Sequence, residues 1–145
     1  SEEALASVRA AGRERVTMTD PEMIEAGGIR VARLASEGPP LGSERDATDI
    51  IGGLFGLRVD LVAIPADRLD AGFYRLATGL AGAFVQKFVT YGYRLAIVGD
   101  IGGFTARSAP LRAFVAESNK ARHLWFVDSD DALAKRLEQA EKGRG

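Results

Sequence analysis

Three short, mostly apolar runs, at residues 59–64 (apart from Asp60), 93–98 and 123–127, restrict this chain more than any other feature. Each is strand length, too short for a buried helix, and each ends in a breaker: Pro65, Gly99-Asp100 and Ser129-Asp130-Asp131 respectively. Between them apolar residues recur at three- and four-residue steps. The clearest case is Phe73, Leu76, Leu80, Phe84, Phe88 and Tyr91, which predicts one long helix over residues 72–91. Strands alternating with helices imply a mostly parallel sheet joined by right-handed crossovers.

Upstream, residues 23–34 read as two strands around a Gly27-Gly28 turn, because paired glycines accept the positive φ angles of a tight hairpin. Ser43 can cap a helix through Asp46, Ile50, Ile51 and Leu54, with Asp46 as the capping-box acid. Pro110 suits the first turn of a helix running to Asn119, and Ser129-Asp130-Asp131 caps a last helix with a Leu133 and Leu137 seam. Gly102-Gly103 reads as a flexible loop. The expected fold class is α/β: a single domain over residues 21–140, an N-terminal β-hairpin and then alternating helices and strands on a mostly parallel central sheet. Residues 1–20 are expected to form a flexible or helical extension, and residues 141–145 a disordered tail.

Composition narrows function. Of 145 residues, 46% are hydrophobic and 27% charged, the balance of one globular domain. A net charge of −1 gives no basic field for a phosphate backbone, so nucleic acid is not expected as a partner. Absence of cysteine removes disulfides, thiolate nucleophiles and cysteine-held metals, and fits the cytoplasm. No apolar run reaches the roughly 18 residues of a membrane span, and Ser1-Glu2-Glu3 is acidic where a signal peptide is basic. His123 is the one histidine and begins a strand beside Arg122, a poor setting for a general base. Neither a catalytic residue, a metal site nor a cofactor site is expected; Gly99 to Gly103 lacks both the lysine of a phosphate loop and the spacing of a dinucleotide fingerprint.

The carboxyl edge of a parallel sheet is where ligands and partners meet loops and helix N-termini. Asp100 follows a strand there and could hold a cation or polar partner, or simply turn the loop by bonding backbone N–H groups. Thr78, Gly79 and Gly82 form a small-residue patch, which serves either close packing of the helix on the sheet or a flat approach for another protein. Each interior helix glycine costs about 1 kcal/mol relative to alanine, so something should offset it. Gln86, Lys87, Glu117 and Asn119 are polar groups beside apolar faces. They suit a small-molecule site or a solvated helix end, with Asn119 as a left-handed C-cap.

In combination, the runs Thr78 to Gly82, Gln86 to Phe88, Ala96 to Asp100 and Glu117 to Asn119 resemble the bacterial domain-of-unknown-function family 4180 over about residues 23–137, a resemblance that implies no established activity. The order of elements is more distantly similar to the sulfate-transporter and anti-sigma-factor-antagonist (STAS) domains. Those carry Asp-Ser-Ser-Gly-Leu at a helix entry, with a phosphorylatable second serine; Ala77-Thr78-Gly79-Leu80 is the counterpart here. Leu76-Ala77 replaces the Asp-Ser pair, and a helix begun near Gly72 places Thr78 where a phosphate finds no free backbone donors. The resemblance therefore implies STAS-like fold and binding style more than a phosphoswitch.

The leading expectation is a noncatalytic, STAS-like protein-interaction or regulatory module whose surface is the 72–91 helix and adjoining loops. The alternative is a small-molecule-binding protein or minor enzyme, with Asp100, Gln86, Lys87, Glu117 and Asn119 around one pocket. A third reading is homodimerisation through an exposed Phe73, Tyr74 or the glycine-rich face.

Overall fold

The computed structural model describes residues 21–144; the extension expected over residues 1–20 lies outside them. The hairpin forms as expected: β1 (Glu22–Ala26) pairs antiparallel with β2 (Ile29–Arg33), and Gly27 and Gly28 turn the chain at φ +57° and +79°. Helix α1 (Glu44–Gly52) starts in a complete capping box, Ser43 Oγ accepting from Asp46 N while the Asp46 carboxylate accepts from Ser43 N. Strand β3 (Leu61–Pro65) follows, then helix α2 (Leu80–Thr90), β4 (Arg94–Val98), a short helix α3 (Gly102–Thr105), α4 (Ala109–Lys120), β5 (Leu124–Val127) and α5 (Asp130–Arg144). Gly102-Gly103 thus opens a helical turn rather than a flexible loop, with the Asp100 carboxylate accepting from Gly102 N at 2.8 Å. The backbone of α5 continues into the stretch read as tail.

The sheet runs β1-β2-β3-β4-β5, parallel from β2 onward. Every parallel crossover steps one strand in the same direction, so right-handed connections leave their helices on one face. The core reflects this. On one face Ala32, Leu34, Val62, Ile64, Leu95, Ile97, Leu124 and Phe126 pack with residues of α1, α2 and α4. On the other, Val31, Leu61, Ala63, Ala96 and Trp125 meet Leu133 and Leu137 of α5. That helix returns across the sheet to the hairpin, and a Cβ on Gly27 would stand 2.7 Å from the Leu137 carbonyl oxygen. Glycine is therefore required at the turn both for its φ and for the passing helix.

The expected 72–91 helix is shorter than its pattern. Residues 66–78 instead make three 3-10 turns, and α2 begins only after Gly79, which takes φ +76°. The apolar spacing survives because a 3-10 turn also returns side chains to one side every three residues. Phe73 meets Phe84 edge to face at 5.7 Å, carrying one aromatic stripe across the break. Phe73 and Tyr74 are buried, at 1% and 3% exposure, so they offer no exposed dimer contact. Tyr74 donates its hydroxyl to Ala66 O and stacks on Phe104, tying the β3–α2 connection to α3; burial raises its pKa above the ordinary tyrosine value.

Candidate functional site

The expected site residues lie on α2 and just before it, on α4 and in the loop after β4. Thr78 is the residue before the N-cap, not a mid-helix position. Its Oγ1 lies 2.9 Å from Gly72 O and 2.8 Å from Arg75 O, able to donate to either, and accepts from Leu80 N at 3.2 Å. Thr78, Gly79, Gly82 and Gln86 are all exposed. A Cβ built on Gly79 or Gly82 would meet nothing within 4 Å. Gly79 still has a local reason in its left-handed backbone, whereas Gly82 has none, and close packing on the sheet does not explain it.

The polar residues divide among separate places. Gln86 bonds Thr90 along α2, while Lys87 pairs with Glu44 of α1 at 3.4 Å. Asp100 turns its own loop, as above. Glu117 pairs with Lys120 along α4, both well exposed. Asn119 is not a left-handed cap: among the described residues no non-glycine has positive φ, and α4 runs on to Lys120. Its Oδ1 accepts from Phe126 N at 2.7 Å and from Arg136, closing the outer edge of β5. Arg136 in turn lies over Trp125 at 4.0 Å, with burial lowering its pKa. None of the five polar residues expected around one pocket lines either of two clefts on the surface.

The larger cleft, about 510 Å³, opens at the carboxyl ends of β2, β3 and β4 on the α5 side, with Glu22, Arg33, Glu37, Pro65, Val98 and Asp130 in its lining. Arg33 spans it, reaching Glu22 and Asp130 at 2.7 Å each. Its wall at residues 35–37 is fixed from behind by Arg68, a buried arginine only 1% exposed. Arg68 donates to the carbonyls of Ala35 at 2.8 Å, Glu37 at 3.2 Å and Pro39 at 3.2 Å, leaving Nη2 without a partner. Desolvation lowers its pKa and the neighbouring Asp46 carboxylate opposes the shift. The second cleft, about 190 Å³, is a mostly apolar groove between the hairpin and α5 beside Ile24, Val31 and Leu137. Sequence reasoning missed Arg33 and Arg68. Alternation along β2 puts Arg33 on the face of Val31, yet its partner Asp130 lies 97 residues away, and no local pattern marks Arg68 as buried.

Among the described residues no group of three or more His, Cys, Asp or Glu is placed to hold a metal ion, and no helix is long and apolar enough to cross a membrane. No curated protein and no solved structure matches the chain. The family model described as Domain of unknown function (DUF4180) matches residues 26–137, from the hairpin turn to the leucine that α5 packs against it, and the chain belongs to that family.

Proposed function

We propose that this domain is a noncatalytic, STAS-like interaction or regulatory module that docks another protein on the exposed N-terminal half of α2. The observation that carries the reading is Gly82. It is exposed inside a helix, with open space where a side chain would stand. An interior glycine costs about 1 kcal/mol against alanine and gains nothing here from the fold itself. Close approach of an outside backbone supplies the missing reason. Gly79 and Gln86 flank it at helical spacing on the same side of α2, so the surface is a shallow stripe.

The STAS-like part is supported by the order of elements, a hairpin and then alternating helices and strands, and by the place of Thr78. The hydroxyl stands just before the N-cap and accepts from the first helix amide, Leu80 N. The objection that Thr78 lies deep in a helix no longer applies. Asp100 belongs to the same edge of the sheet, whereas Lys87, Glu117 and Asn119 already serve contacts between elements or along α4.

The test separates folding from docking. Gly82→Ala should raise unfolding stability by about 0.5–1 kcal/mol, measured by urea denaturation. A photo-crosslinking side chain at 86 should trap a discrete adduct in cells, one that a probe at 117 does not trap. Gly82→Leu, shown to be folded, should abolish it. Equal labelling from 117, or an adduct untouched by Gly82→Leu, removes α2 as the docking face.

A further inference from the structure

Independently of the α2 surface, we infer that β1 is a self-association edge: two copies of the chain pair antiparallel through it, with Ile24 on the two-fold axis. β1 is an outer strand with β2 as its one neighbour among the described residues. Which of its groups face outward follows from the hairpin. Arg30 O accepts from Asp60 N, and Arg30 N donates to the Asp60 carboxylate, so both main-chain groups of Arg30 are turned to the β3 side. Its register partner Glu25 therefore exchanges no bond with it. Opposed residues of an antiparallel pair alternate between bonded and non-bonded. Glu22, Ile24 and Ala26 thus bond inward to β2, while Met23 and Glu25 turn their N–H and C=O groups to the open edge. An open row of such groups accepts another strand.

Charge and a proline select the register. A second β1 must set outward groups against outward groups, so the axis falls at Met23, Ile24 or Glu25. An axis at Met23 sets Glu25 against Pro21, which has no N–H to give. An axis at Glu25 sets one Glu25 carboxylate against the other, a destabilising pair. With the axis at Ile24, Met23 of each copy exchanges bonds with Glu25 of the other, and Glu22 stands opposite Ala26, so no carboxylate opposes another. Ile24 then meets Ile24 as a non-bonded pair, with Cα atoms about 4.5 Å apart. The surface matches that contact. Ile24 is 36% exposed on the α5 face, and with Ala26 it lines the mostly apolar groove of about 190 Å³ between the hairpin and α5; the second Ile24 extends that apolar wall. Strands of five residues bury less than the roughly 1,000 Å² of a tight interface, so the association is reversible.

The chain has no cysteine, so disulfide trapping reads the register directly. Under mild oxidation of the full chain at millimolar concentration, Ile24→Cys should link to itself, because a non-bonded pair at that separation meets disulfide geometry. Glu22→Cys and Ala26→Cys should each stay unlinked alone and link when mixed. In sedimentation velocity the mass of the wild-type chain should rise with concentration. Ile24→Lys and Glu25→Pro, both at the open edge, should each weaken association at least about ten-fold while the fold is kept. In dilute protein the amides of Met23 and Glu25 should exchange freely and gain protection as the dimer forms, with those of Ile24 and Ala26 unchanged. A wild-type chain that stays monomeric at millimolar concentration overturns the assignment, as does Glu22→Cys linking to itself as fast as Ile24→Cys. Association that survives Ile24→Lys places the contact elsewhere, and protection of Met23 and Glu25 in a monomer gives the edge to another segment of the same molecule; either result sinks the proposal.

Discussion

Arg68 shows how a single side chain sets local structure. It makes three bonds to backbone carbonyls across residues 35–39, and Gly38, at φ +143°, lies so close that a Cβ there would stand 2.8 Å from the guanidinium carbon. Its own backbone continues the clamp: Leu41 N donates to Arg68 O, and Asp70 N donates to Leu41 O. Arg68→Ala strands those carbonyls and opens a void, so we expect a stability loss of about 2–4 kcal/mol in urea denaturation. Amide exchange should quicken first at residues 35–41. An unchanged midpoint would show that water replaces the guanidinium at no cost. The small residues of α2 point the opposite way, since a Cβ at Gly82 would meet nothing within 4 Å and its replacement by alanine should strengthen the fold.

Among the elements, α5 carries the most unequal load. Three helices share one face of the sheet, while among the described residues only α5, the longest, covers the other, through Leu133 and Leu137, which are 4% and 1% exposed. Leu137 packs where the helix passes the hairpin turn, so Leu137→Ala should cost about 2–5 kcal/mol. The loss should appear as faster exchange in β1 and β2 before β4, and uniform exchange would mean that α5 is not what holds the hairpin down. The 66–78 segment teaches a lesson about pattern. Its part from residue 72 on carries the three- and four-residue steps expected of a helix, but Asp70 capping Gly72 N and left-handed Gly79 divide it into turns. A period near three does not separate a 3-10 turn from an α-helix over such short lengths.

Taken whole, the molecule is a sequentially wound sheet whose two edges are finished differently. β5 is closed by Asn119, which accepts the Phe126 amide, whereas β1 pairs with β2 alone among the described residues. Hydrogen exchange should therefore be slowest in β3 and β4, which have neighbours on both sides and fully buried Ala63 and Ala96, and fastest in β1. Comparable protection in β1 would mean that its outer edge is covered in solution. The hairpin glycines, the Ser43 capping box, three apolar strands and the Leu133–Leu137 seam were legible in the sequence, because each is written in neighbouring residues. So was the family, through short motifs. What the sequence could not give was which faces those elements share. The single-sided winding, the exposure of Gly82, the burial of Arg68 and the meeting of Arg33 with Asp130 across 97 positions all depend on where α5 and the crossovers pack. Local propensity acts over a few residues, while burial and long-range charge pairing are properties of the assembled sheet.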